Sequence, residues 1–230
     1  THLLHHVSHE MRSPLARIQL AIGLAHQNPE KLVQSIDRIE LETQRIDKLV
    51  GELLQLSRLK SGVVQANMEK ISLNEILRDV LENASYEAQG KGIRIVDNTH
   101  GHLTMMGGAE LLHRAVENVV RNAIKYSPDG GEIQVGMDVD TETGYVHLKV
   151  SDQGPGINPD DLPNIFQPFR RFANAKGEGY GLGLAIARQV IEMHKGQIQA
   201  HNRPEGGLCI DMTLPYLTAG YDSTANVNLA

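Results

Sequence analysis

Several things are scarce in this chain, and each shortage excludes a class of protein. Cys209 is the only cysteine among 230 residues, so no intrachain disulfide forms and a reduced, cytosolic setting is the simplest expectation. It sits in an apolar, strand-like run and reads as core, not nucleophile. Aromatics make up 4% of the chain and no basic patch alternates with them, so no nucleic-acid partner is expected. There is no apolar run of about 18 residues of the kind that crosses a membrane, no signal peptide with a basic start and apolar middle, and no low-complexity tract. Neither GxxxxGK[ST] nor GxGxxG after a strand occurs, so P-loop and Rossmann rules do not apply. What is present, 40% hydrophobic and 22% charged residues with a net charge of −6, fits a soluble globular protein of one or two domains.

The first sixty residues read as two helices. Leu4, Ser8, Met11, Leu15, Ile18, Ile22 and Ala25 recur in steps of four and three, the seam of a helical bundle. His9 lies one residue off that seam, turned by about 100 degrees, so its imidazole is expected on the flank. Glu10 beside it can accept from one ring nitrogen and leave the other free as a nucleophile or metal ligand. Pro14 cannot donate to the carbonyl of Glu10, which should bend or loosen the helix near His9. Asn28-Pro29 marks a break. Leu32, Ile36, Ile39, Thr43, Ile46, Val50 and Leu53 then repeat the spacing, with Leu56 and Leu59 extending the apolar side. Two helices alone cannot cover stripes of this length, so pairing with a second copy into a four-helix bundle is expected, the alternative being that the stripe packs on the second domain of the same chain. A rival reading is a metal-binding bundle, because His2, His5, His6 and His9 fall at helical spacings of three and four.

The heptad pattern ends over 62–70, which reads as a connector. Beyond it the pattern predicts helices over 73–89, 108–126 and 182–193, and strands over 93–96, 103–106, 133–139, 145–151, 197–201 and 208–214. Helices interleaved with hairpin-linked strands argue an α+β sandwich with helices on one face of a mixed sheet. The tail over 218–230 is small and polar and is expected to be loose.

Chemistry concentrates in four stretches of this second part. Asn118 and Asn122 share one helical face, with Lys125 and Tyr126 a turn further on; amide oxygens suit Mg²⁺ and a lysine meets phosphate as a point charge. Asp152-Gln-Gly154-Pro-Gly156-Ile157 follows a strand, where glycines permit close backbone approach and a buried aspartate accepts from an exocyclic amine such as adenine N6. Ile165 to Phe172 gathers all three phenylalanines with Arg170 and Arg171, the start of a mobile lid from which Arg170 or Arg171 is able to reach phosphate. Gly177 to Leu184 opens a helix with glycines, and free N–H groups at a helix start make an anion site.

Val7-Ser-His9-Glu10-Met-Arg-Ser13-Pro14 resembles the H-box of sensor histidine kinases, and the four later stretches resemble, in order, the N, G1, F and G2 boxes of that family's ATP-binding domain. The resemblance spans roughly residues 2–216. It implies an α+β protein with an N-terminal antiparallel helical hairpin (1–61), half of a dimeric four-helix bundle. A linker (62–70), a Bergerat-type α/β sandwich that binds ATP (71–217) and a flexible tail (218–230) would follow. By the same resemblance His9 is the phospho-acceptor and Glu10 its acidic assistant. Ser13, where many members carry threonine, stands at the position linked to removing phosphate from the partner. Asn122 and Asn118 serve Mg²⁺, Lys125 serves phosphate, Tyr126 borders the base and Asp152 reads adenine. Gly154, Gly156, Ile157, Phe169, Arg170, Arg171, Tyr180, Leu182 and Leu184 line the nucleotide, and Gly179, Gly181 and Gly183 wrap its phosphates. Glu178 and Tyr180 depart from the family's GGTGLGL. The implied cofactors are ATP and Mg²⁺, and the implied partners are a second copy and the receiver domain of a response regulator. A histidine only eight residues in also implies a longer protein, whose missing upstream segment carries a sensor and the only membrane connection, at the inner membrane with this portion cytoplasmic. The rival within the superfamily is an ATPase that places a water-activating glutamate where this chain has Asn118; here Glu117 is turned aside on the helix.

Overall fold

The structure is a computed structural model that describes residues 2–62, 67–99, 101–171, 179–217 and 221–222. It divides into two compact units, 1–57 and 58–230.

The first unit is an antiparallel hairpin of α1 (His2–Gln27) and α2 (Leu32–Lys60), joined by a single 3-10 turn over Pro29–Lys31. Asn28 caps that turn by accepting from the N–H of Glu30, and Pro29 needs no such partner. α1 stays helical through Pro14. The buried strip differs from the expected seam. Pro14 and Ala21 on α1 and Ser35, Glu42, Leu49 and Leu56 on α2 are buried, whereas Ser8, Leu15, Ile22, Leu32 and Ile36 are exposed. Two helices approach closest where side chains are small, so the narrow strip between them takes proline, alanine and serine. The wider aliphatic stripe stays open, and Leu20 and Val33 are exposed with it.

The second unit is a two-layer α+β sandwich, as expected. A five-stranded sheet runs β2 (Arg94–Thr99), β4 (Glu132–Asp140), β5 (Tyr145–Ser151), β7 (Leu208–Pro215), β6 (Gln197–Asn202), and only the β2–β4 pair is parallel. Alternation decides its inner face: Ile133, Val135, Val146, Leu148, Met212 and Leu214 are fully buried, while Tyr145, His147 and Lys149 point the other way. Helices α3 (Leu73–Gln89), α4 (Ala109–Tyr126) and α5 (Gly183–Met193) pack as the second layer.

A smaller sheet of β1 (Glu69–Ser72), β3 (His102–Gly107) and β8 (Tyr221–Asp222) corrects two expectations. Glu69 and Lys70 belong to a strand and not to the connector, and Tyr221–Asp222 in the tail pairs with His102 and Leu103. Strand pairing is a backbone interaction, so short edge strands need little apolar pattern and leave little trace in the sequence. Ser72 ends β1 and also caps α3, accepting from the N–H of Glu75 three residues on.

Candidate functional site

On α1 the His9 side chain is 76% exposed, and its Nδ1 lies 3.6 Å from Oε1 of Glu10. That is an ion-pair distance, longer than a hydrogen bond. Ser13 follows one helical turn later on the same face. Its Oγ accepts from Nη1 of Arg17 at 2.8 Å. Arg17 in turn places Nη2 2.8 Å from Oε2 of Glu42 on α2, and Arg38 and Arg45 meet Oε1 of the same carboxylate at 3.2 and 2.7 Å. Burial alone pushes the Glu42 carboxyl up, but the Arg17 hydrogen bond and the three guanidinium charges together hold it below the usual carboxylate range. Sequence reasoning missed Arg17 and Glu42. The available signal was an acid seven residues from both Ser35 and Leu49, inside the buried register.

In the second unit, α4 carries the side chains and three loops approach it. Asn118 and Asn122 are half-buried and hold no hydrogen bond among the described residues. A Cβ on Gly183, the first residue of α5, would stand 3.2 Å from Asn118 Oδ1, and one on Gly179 would stand 3.2 Å from Lys125 Nζ. Gly179 and Gly183 therefore lie close against the α4 face, where a Cβ would be a tight fit. Lys125 Nζ sits 4.9 Å from the Tyr126 ring centre and has no carboxylate partner among the described residues. Gly181, at φ 72°, backs onto Arg170, whose carbonyl oxygen would be 2.6 Å from an added Cβ; the N–H of Phe169 donates to the Gly181 carbonyl at 2.9 Å. Ile165 and Phe166 anchor this segment in the core, Arg170 and Arg171 are exposed, and Leu182 is buried. The expected lid residues Phe172 and Gly177, and the departure at Glu178, lie outside the described residues.

Asp152 stands at the end of β5 and is 5% exposed. One carboxylate oxygen, Oδ1, accepts both the Gly154 N–H at 2.8 Å and the Leu208 N–H at 3.1 Å. The other oxygen has no partner among the described residues. Burial pushes this carboxyl up, and the two backbone donors and Arg203 only partly offset it. Such a group is primed to accept a donor from a ligand. Gly154 lies under Tyr126, since a Cβ there would be 2.8 Å from the Tyr126 carbonyl oxygen.

The residues that brace Asp152 were also missed. Gly207, at φ 94°, lets the chain pass where a Cβ would be 2.0 Å from the Asp152 carbonyl oxygen, and Arg203 donates to that oxygen at 3.0 Å. Asn202 clamps Ile157 from both sides, accepting its N–H at 2.9 Å and donating to its carbonyl at 2.6 Å, while Gly156 makes room beside it. In sequence the run Asn202 to Gly207 reads only as a turn. Lys91 donates to the carbonyls of Ile124 and Lys125 and so holds the end of α4. At the other end of α4, buried His194 accepts the Gly108 N–H on Nε2 at 2.9 Å, while its Nδ1 lies 2.7 Å from the Val190 carbonyl and must donate to it. Both bonds together need the neutral ring, and burial holds the imidazole below its usual range.

The rival readings meet the same geometry. Glu117 is paired with Arg121 at 3.7 Å, which also bonds Glu87 of α3, so its carboxylate is engaged there. Among the described residues no group of three or more histidine, cysteine or acidic side chains could hold a metal; the side chains of His2 and His5 lie outside them.

A helical hairpin with an exposed His-Glu pair and an α/β sandwich with glycine loops against paired asparagines define a histidine kinase core. Residues 1–62 match the model of the His Kinase A (phospho-acceptor) domain, and residues 107–218 match that of the histidine kinase-, DNA gyrase B- and HSP90-like ATPases. The chain belongs to the sensor histidine kinases. It is 38% identical over 219 residues to the sensor histidine kinase CpxA of Escherichia coli K12, covering 93% of this chain and 46% of that protein. It is 35% identical over 213 residues to the sensor protein PfeS of Pseudomonas aeruginosa, again 93% of this chain and 46% of the relative. The chain thus spans about half the length of the curated relatives it matches. Among solved structures, the mycobacterial sensor histidine kinase MprB superposes with a TM-score of 0.60 at 32% identity, covering 64% of this chain and 98% of that one. Full-length ShkA in complex with AMPPNP gives 0.71 at 25% identity over 95% of this chain and 46% of that one. No described helix is long and apolar enough to cross a membrane.

Proposed function

We propose that this chain is the kinase core of a sensor protein, moving the γ-phosphoryl group of ATP to His9 and then to an aspartate on the receiver domain of a response regulator. The observation that carries this reading is the convergence on α4. The unpartnered amide of Asn118 lies against Gly183 and the ammonium of Lys125 against Gly179, with the unpartnered amide of Asn122 one turn along α4 from Asn118 and a buried acceptor at Asp152. The ShkA structure, a complex with AMPPNP, supports ATP as the ligand.

The free oxygen of Asp152 accepts the exocyclic amine of adenine, and Tyr126 and Ile157 border the base. The N–H groups at the start of α5 face the phosphates, with Lys125 countering their charge. Two side-chain amides without protein partners among the described residues would suit Mg²⁺, which prefers partial protein coordination to an all-protein cage. Bound there, Mg²⁺ neutralises charge on the phosphates during transfer. His9 attacks through neutral Nε2: a P–N bond forms, the bond from the γ-phosphorus to the bridging oxygen breaks, and its electron pair leaves with ADP. Glu10 then closes on Nδ1–H and stabilises the imidazolium. The exposed aliphatic face of the hairpin pairs with a second copy, and the helices around His9 receive the regulator. Ser13 assists the reverse task of removing phosphate from the regulator. An upstream sensor segment attaches this cytoplasmic part to the inner membrane. The working map of these tasks is a hairpin over 1–61, a connector that ends before Glu69, and the sandwich from Glu69 on.

The test is incubation with γ-labelled ATP and Mg²⁺. Label that is acid-labile and alkali-stable, and absent from both His9→Ala and Asn122→Ala, is the expected result. ATP turnover that survives His9→Ala would transfer the assignment to the ATPase reading.

A further inference from the structure

Arg17 stands two helical turns beyond His9, too far along α1 to touch a phosphoryl group there, yet it is the residue that holds Ser13. Its guanidinium forks, with Nη1 on Ser13 Oγ at 2.8 Å and Nη2 on buried Glu42 at 2.8 Å. Glu42 is itself fixed by Arg38 and Arg45 within α2. The planar fork of an arginine is rigid, so anchoring one arm in a buried carboxylate fixes where the other arm points. Serine lacks the β-methyl that restricts threonine at χ1, and an exposed serine hydroxyl on a helix otherwise moves among wells or turns back to the carbonyl four residues earlier. With Arg17 occupying one lone pair of Oγ, the hydroxyl retains its proton and a second lone pair for other partners.

We propose that Arg17, anchored by Glu42, is a positioning residue that fixes the Ser13 hydroxyl for removal of phosphate from the regulator, supplying the restraint that a threonine methyl would give. The inference rests on the kinase reading above. In the step concerned, a water oxygen forms a bond to the phosphorus of the regulator's aspartyl phosphate, and the P–O bond to the aspartyl carboxylate breaks with its electron pair left on the carboxylate. The proton lost by the water passes to solvent, and Ser13 orients that water or a phosphoryl oxygen.

The experiment uses the host's receiver domain that takes label fastest from phosphorylated His9, isolated in its labelled aspartyl-phosphate form. Loss of label is timed with the unaltered chain, Arg17→Met, Ser13→Ala, the two combined, and Arg17→Met combined with Ser13→Thr. Arg17→Met is expected to slow release about tenfold. Ser13→Ala should slow it as much, Arg17→Met should add nothing to Ser13→Ala, and Ser13→Thr should restore most of the rate. Arg17→Lys, which keeps a charge for Glu42 but loses the fork, separates positioning from folding and should also be slow while melting like the unaltered chain. Release that ignores Arg17 or Ser13, or an Arg17→Met effect undiminished in the Ser13→Ala background, overturns the inference. A chain that takes no label from ATP sinks the kinase reading instead.

Discussion

The two units of this molecule invert each other. The hairpin buries a carboxylate among three arginines and leaves Leu15, Leu20, Ile22, Leu24, Leu32, Val33 and Ile36 exposed. The sandwich buries its aliphatics completely on the inner sheet face and keeps its ion pairs, such as Lys149 with Asp138 and Arg121 with Glu87, on the surface. A sheet with helices over one face closes its own core. A two-helix hairpin cannot, since each helix has a stripe wider than the strip its neighbour covers. The difference teaches that the first unit is built to be completed by another surface, whereas the second is built to hold a ligand. Its exception, the buried carboxylate of Asp152, marks the proposed place.

Breaking the sandwich at that exception gives the largest effect. Asp152→Asn keeps an acceptor for Gly154 and Leu208 but turns an amide donor toward the adenine donor, so nucleotide affinity should fall about a hundredfold, read by calorimetric titration. Stability should hold or rise. The folded carboxyl is raised above its unfolded value, so the folded form keeps a proton that the unfolded chain has lost, and ionised Asp152 weakens the fold at neutral pH. A lower melting temperature with unchanged affinity would remove Asp152 from the adenine role.

The hairpin is tested next. Leu20→Glu with Val33→Glu places charges on the open stripe, and dimer dissociation should strengthen by about tenfold or more, visible by light scattering over a dilution series. Nucleotide affinity of the sandwich should not follow. A dimer indifferent to both charges would mean that the open face serves something else.

The smallest effect is a pH dependence confined to the sandwich. His194 is held neutral, with its folded value below the ordinary imidazole value, so below about pH 6.5 the unfolded chain takes up a proton that the folded chain resists. Its contribution is complete above that pH and declines as pH falls toward the depressed value. Denaturant melts between pH 7.5 and 5.5 should show a loss of stability as pH falls that His194→Gln largely removes. An unchanged slope in the variant would assign the loss to other groups.

Much of this was legible in the chain itself, for local reasons. Helix and strand periods follow from which side chains must share a face, so α3 was placed at its observed ends and each strand of the large sheet was found near its place. The candidate site stretches stood out because the glycines, asparagines and aspartate they contain are costly or purposeless elsewhere. Strands β1 and β8 were not, because edge pairing is satisfied by the backbone and asks little of the side chains. The braces Gly207, Arg203, Asn202 and His194 were not either, since each acts on a residue far away in sequence.

The sequence alone therefore determined the class of fold, the order of its boxes and which side chains are candidates for the chemistry. These are set by local spacing and residue chemistry. Only the tertiary structure decided which stripe of the hairpin is buried, that one carboxylate gathers three arginines, and that a single oxygen of Asp152 remains open. Those outcomes depend on how closely distant segments approach, and no spacing along one chain encodes that distance.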